Sequence, residues 1–248
     1  ITDKTKAIMP VSIYGQTPDM DSINAIAQKY SLPVIEDAAQ SFGATYKRKK
    51  SCNLSTIGST SFFPSKPLGC YGDAGALFAD DDEWAEKFRW IRVHGQERKH
   101  HHPILGLNGR MDTLQAAILL AILEVFPDEV TKRQKIGNRY NTELSQASEL
   151  ETPTIAPENT SVFAQYTILS EQRESIQNSL KEKGIPSVSY YSVPLHLQPV
   201  FKDLGYKPGD FPVSEKVANQ SLSFPMSPYL NPEDQKNVIS YVLKSLNL

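Results

Sequence analysis

The chain has 248 residues, 40% of them hydrophobic and 22% charged, with a formal net charge of -2. That length holds one large domain or two modest ones, each with a core of its own, and the balance excludes a disordered or fibrous chain. Lys and Arg are interspersed with Asp and Glu, so no basic footprint exists to neutralise nucleic-acid phosphates, and nucleic acid is not an expected partner. The apolar stretch around residues 116–125 falls short of the roughly 20 residues needed to cross a bilayer, so no membrane partner is expected either. The opening ITDKTKAIMP lacks the basic start and apolar run of a secretory signal. Two cysteines, Cys52 and Cys70, suit a reducing compartment, and a cytoplasmic location is expected.

In chain order, residues 7–14 read as a buried strand and residues 21–30 as an amphipathic helix. Asp19 or Asp21 caps that helix, and Ile23, Ile26 and Ala27 share one face. Residues 33–37 form a second strand. Strand, helix and strand of these lengths favour a parallel crossover, which leaves Asp37 at the carboxyl edge where open α/β sheets bind ligands. Residues 56–63 and 75–79 read as further strands, joined by the Pro- and Gly-rich loop 64–72. Helices follow over 83–93 and 112–145, with Pro127 placed to interrupt or kink the second. Residues 149–161, rich in Pro, Thr and Glu and without periodicity, mark a junction. Residues 1–125 are taken as one part. Residues 126–248 are taken as a connecting helix with a small α/β domain: strand 162–169, helix 174–183, strand 186–191 and closing helix 233–246. The fold class is α/β.

Pyridoxal phosphate chemistry needs a lysine amine, an acid beside the pyridine nitrogen and donors for a phosphate. All three residue types occur together here, with Asp37 in VIEDAAQSFGA and Lys66 in TSFFPSKPLGCYGDAG. Alone, each has a plainer meaning: a strand-end aspartate usually caps a helix, and a lysine is usually a solvated surface group. Cys70, beside the lysine, reads as a small packed residue rather than a nucleophile. His100, His101 and His102 are consecutive and cannot all face one ion, so no metal site is expected.

Together these strings resemble the DegT/DnrJ family of sugar aminotransferases, which have the aspartate-aminotransferase architecture (pyridoxal-phosphate transferase fold type I). The resemblance implies part of the large, mainly parallel sheet domain followed by a small C-terminal α/β domain. It maps the pyridinium-binding acid onto Asp37 and its companion amide onto Gln40. SFFPSK maps the Schiff-base lysine onto Lys66 and a phosphate-binding hydroxyl onto Ser61. NGRMDTLQAA resembles the segment whose Asn reaches the cofactor phosphate of the other subunit, a role that falls to Asn108, and so implies a homodimer with shared active sites. The implied cofactor is pyridoxal 5'-phosphate.

YGQ, SCNLST and TSFFPSKPLGCYGD are similar to enzymes that install the 3-amino group of UDP-2,3-diamino-uronic acids for bacterial O-antigen. That resemblance implies glutamate as amino donor and a UDP-linked sugar acid with a C3 ketone as acceptor. Arg110 could then pair bidentately with a carboxylate of donor or sugar, or be a surface arginine at a helix start. His94 contacts substrate or stabilises a turn at Gly95. Tyr190 and Tyr191 precede VPLHLQP, where relatives often carry a His-Tyr pair near the sugar, and Tyr190 stands in place of that His.

The resemblance runs from about Ile1 through PLHLQP and more loosely to the end. The family's Gly-Thr phosphate turn and the aromatic that stacks on the ring belong to a stretch preceding the position of Ile1. Two alternatives accompany this reading. One is a related sugar dehydratase, in which His replaces the lysine and against which Lys66 argues. The other is a catalytically incompetent fragment or a non-enzymatic, regulatory homologue that keeps the fold.

Overall fold

The computed structural model describes residues 1–248. They form two compact units, Ile1–Thr131 with Ile155–Ala164, and Lys132–Thr154 with Gln165–Leu248. No helix is long and apolar enough to cross a membrane.

The first unit is built on a three-stranded sheet in the order β1 (Ile35–Asp37), β4 (Ile57–Ser61), β5 (Gly75–Phe78). β1 and β4 run parallel, pairing Asp37 with Ser59, and β5 is antiparallel to β4. The strand expected over residues 7–14 is reduced to two parallel bridges, Ile8 to Val34 and Val11 to Asp37, and then becomes a 3-10 turn at Ile13–Gly15. Pro10 lies between the bridges and has no N–H to continue the ladder; it contributes only its carbonyl, to the Asp37 amide at 2.9 Å. α1 (Met20–Lys29) starts at Asp19, whose carboxylate accepts from the Ser22 amide at 3.3 Å and the Ser22 hydroxyl at 2.6 Å. Met20 and Ala27 of this helix pack with Val34, Tyr46 and Leu54.

A short hairpin, β2 (Thr45–Tyr46) and β3 (Lys49–Lys50), was not legible in the sequence. Its turn residues, Lys47 (φ 46°) and Arg48 (φ 68°), take the left-handed conformations that Asn-Gly usually signals. α2 (Asp82–Ile91) follows β5, and α3 (Thr113–Leu144) runs as one helix of 32 residues through Pro127. The helix is not interrupted there. Phe126, next to the proline, is buried with Phe62, Leu68, Cys70 and Leu119, so packing of the apolar face offsets the lost helix bond. Residues 155–164 return to this unit. The Val162 amide donates to the Gly15 carbonyl at 3.0 Å, and Gly15 (φ 123°) has no room for a Cβ beside the Phe163 amide.

In the second unit, β6 (Tyr166–Leu169) pairs antiparallel with β7 (Ser221–Phe224). α4 (Arg173–Glu182), α5 (Pro212–Gln220) and α6 (Pro232–Ser245) complete it with the end of α3. The strand expected from residue 162 begins only at Tyr166. The one expected over 186–191 is a single bridge, Val188 to Ser223. Tyr140 of α3 stacks on Tyr166 at 4.6 Å between centroids, and its hydroxyl donates to the Pro225 carbonyl at 3.0 Å. Leu144, Ile168, Ile176, Leu180, Leu222 and Val242 of this unit are fully buried.

Candidate functional site

Because β1 and β4 are parallel neighbours, their carboxyl ends emerge on the same edge of the sheet. Asp37 closes β1, and Ser61 closes β4 two residues beyond the partner of Asp37. Side chains alternate along a strand, so Asp37, Ser59 and Ser61 belong to one face, and Ser61 lies about 7 Å further along it. One Asp37 carboxylate oxygen accepts from the Ala39 amide at 2.9 Å, which holds the side chain against the turn that follows. Gln40, 8% exposed, sits in that turn. Its carbonyl oxygen accepts from the Tyr14 amide at 2.6 Å, so the backbone of the 3-10 turn fixes it.

Ser61 Oγ accepts from the Phe63 amide at 3.2 Å, which leaves its own proton to donate to an anion. Lys66 follows in a tight turn, its amide donating to the Phe63 carbonyl at 2.9 Å. Its side chain is half-buried. Leu68 and Cys70, further along the loop, are anchored in the core with Phe62. The loop's root is thus fixed by apolar burial while residues 63–65 stay exposed.

His94 and Asn108 come together in one ladder: the His94 amide donates to the Leu107 carbonyl at 2.9 Å, and Val93 bridges Asn108. The Gly109 amide donates to the Arg92 carbonyl, which places Arg110 directly beyond this ladder. His94 (φ 66°), Asn108 and Arg110 are all exposed. Gly95 and Gly106 face each other so closely that a Cβ on either would meet backbone atoms of the facing segment, and His94 stands in the turn beside this close approach. Tyr190 and Tyr191 belong to the second unit, their rings edge to face at 5.5 Å.

Three polar groups near these residues were not singled out as site residues from the sequence. Glu36, 0% exposed, points to the opposite face from Asp37 and accepts from the Cys52 amide at 3.0 Å. Cys70 Sγ lies 3.0 Å from both the Phe62 and Gly72 carbonyls. Gln115 accepts from the Tyr71 amide at 2.8 Å. A clue was present for the last, since Gln115 falls inside the NGRMDTLQAA string, but only folding brings it to the lysine loop.

The donor set fits pyridoxal phosphate chemically: a carboxylate at a sheet edge, a hydroxyl with a proton to give, and an amine on the loop that leaves β4 just after that hydroxyl. The chain matches the DegT/DnrJ/EryC1/StrS aminotransferase family over residues 1–243, and it belongs to that family. It is 56% identical over 231 residues to the UDP-2-acetamido-2-deoxy-3-oxo-D-glucuronate aminotransferase of Pseudomonas aeruginosa, an alignment covering 93% of this chain and 63% of that protein. It is 47% identical to a pleiotropic regulatory protein of Geobacillus stearothermophilus, covering 98% and 66%. Among solved structures, S. venezuelae DesV in complex with a ketimine intermediate superposes with a TM-score of 0.96 at 34% identity, covering 98% of this chain and 66% of that one. The chain therefore spans slightly under two thirds of these proteins' length.

Proposed function

We propose that this chain belongs to a pyridoxal-phosphate-dependent aminotransferase that moves an amino group from glutamate to a keto group, at C3, of a UDP-linked sugar acid. The observation that carries the reading is the shared carboxyl edge of β1 and β4, from which Asp37, Ser61 and the Lys66 loop all emerge. The identity to the Pseudomonas aeruginosa enzyme supports the choice of substrate. Synthesis of a surface polysaccharide such as O-antigen in the cytoplasm, and a homodimer in which Asn108 serves the partner's cofactor, belong to the same proposal.

Asp37, Gln40, Ser61 and Lys66, with Asn108, would hold the cofactor. When bound, pyridoxal phosphate supplies an electron-withdrawing ring that stabilises negative charge at the amino-bearing carbon. Asp37 offers a carboxylate to the ring nitrogen's proton, oriented by the Ala39 amide. Ser61 donates its hydroxyl proton to a phosphate oxygen. The Lys66 amine carries the covalent attachment. When its amine is free, Lys66 would move a proton at the substrate's amino-bearing carbon, as general base and then acid. Arg110 is the candidate for a carboxylate of donor or sugar, with His94, Tyr190 and Tyr191 as the remaining substrate contacts.

An absorbance spectrum with added pyridoxal phosphate tests this. A visible band that disappears in Lys66→Ala and bleaches when glutamate is added supports the aminotransferase half-reaction. A wild-type protein without that band favours the second reading, a non-enzymatic homologue, toward which the name of the Geobacillus relative points.

A further inference from the structure

The loop carrying Lys66 leaves β4 at Phe62 and rejoins the sheet at Ala74, where the Phe62 amide donates to the Ala74 carbonyl at 2.8 Å. Inside it, the Cys70 amide donates to the Phe62 carbonyl at 2.8 Å, and the Cys70 thiol lies 3.0 Å from the Phe62 and Gly72 carbonyls. These bonds tie the two arms of the loop to each other. A different contact ties the loop to the rest of the unit: the Tyr71 amide donates to Gln115 Oε1 at 2.8 Å, 44 residues away in sequence. Tyr71 itself is 78% exposed, so its ring does not hold this arm down. A Cβ on Gly72 would come within 3.0 Å of Gln115 Nε2, so the carboxamide lies close against the Tyr71–Gly72 segment.

Gln115 is the third residue of α3, and Leu119 lies one turn later on the same helix face. Leu119 is buried against Leu68 and Cys70, so a single face of α3 packs under the loop and hydrogen-bonds its far arm. The same helix begins just after Asn108 and Arg110. We propose that Gln115 is a positioning residue for Lys66: its side-chain oxygen fixes the lysine loop to the start of α3 and so sets where the amine stands relative to the sheet edge that carries Asp37 and Ser61. This rests on the assignment of Lys66 above.

Two variants of similar size that lack the acceptor, Gln115→Leu and Gln115→Met, and one that keeps it, Gln115→Glu, test the proposal. The first readout is hydrogen exchange of the cofactor-free protein. Loss of the acceptor speeds exchange of the amides in residues 66–72 about fivefold, with the rest of the chain unchanged, and Gln115→Glu restores protection. The second is the pH midpoint of the Lys66-dependent absorbance band in the pyridoxal-phosphate-loaded protein, which moves by about half a pH unit or more in both neutral variants. Unchanged exchange in Gln115→Leu overturns the proposal. Faster exchange with an unmoved midpoint also overturns it, because the bond is then structural and does not place the amine. A wild-type protein with no band at all refutes the cofactor reading itself and removes the role of Gln115 with it, whereas a wild-type band with unmoved midpoints refutes only the role of Gln115.

Discussion

Replacement of Glu36 by Gln should make stability depend on pH in a direction fixed by the structure. Glu36 is fully buried; one carboxylate oxygen accepts from the Cys52 amide at 3.0 Å, and the other has no partner. Burial holds this carboxyl above the usual carboxylate range, against the opposing pull of the Cys52 and Leu54 amides. A raised folded-state value means that the folded protein favours the neutral acid. Its contribution is then fully present below the unfolded value of 4.5 and is lost as pH rises through the folded value.

Gln is neutral throughout, so the variant gains on the wild type as pH rises, by at most about 1.4 kcal/mol per pH unit within that window. A constant cost opposes it. The Gln amide places N–H donors where Glu36 Oε2 has no partner, and an unpaired buried donor costs about 1–3 kcal/mol at every pH. The variant should therefore be the less stable protein near pH 4, and the gap should narrow as pH rises above that. Urea unfolding followed by the fluorescence of Trp84 and Trp90 reports on the unit that holds Glu36, since both lie in α2. A gap that stays constant or widens with pH would show that Glu36 is buried as a charged group, and would refute the reasoning.

Tyr140→Phe keeps the stack on Tyr166 but leaves the partly buried Pro225 carbonyl without its donor; it should lower the unfolding free energy by about 1 kcal/mol, measured by urea titration of far-UV circular dichroism. Pro127→Ala restores an N–H inside the continuous α3 and should raise stability by up to about 3 kcal/mol; an unchanged thermal midpoint would mean that the helix is shaped around the proline. Glu215 accepts from the Gly209 and Phe211 amides and from His196 Nε2 at 3.1 Å, and the Gly209 bond leads in holding its carboxyl below the usual range. A lowered folded value gives stability that is present above the unfolded value and lost as pH falls through the folded one. The wild type should therefore exceed Glu215→Gln at neutral pH, and the difference should vanish in acid, as acid unfolding curves of the two proteins would show.

The sequence by itself determined the local features of this protein. Helix caps such as Asp19, the apolar periodicity of α1 and α4, and the strand ending at Asp37 depend on neighbours within a few residues, and the motif strings around Asp37, Lys66 and Asn108 are contiguous. The tertiary structure decided what depends on distant partners. Pro10 cut the strand expected over residues 7–14, and packing of Phe126 carried α3 through Pro127. Residues 155–164 went back to the first unit through Gly15 and Thr160, a pairing no local pattern announces. At the site, the lysine, acid and hydroxyl could be read as types, but their shared sheet edge follows from the parallel pairing of β1 with β4. The bond from Gln115 to Tyr71 spans 44 residues. Such contacts form only when burial of an apolar face brings two segments together, so the partner of a long-range hydrogen bond is written in the packing rather than in the residues on either side of it.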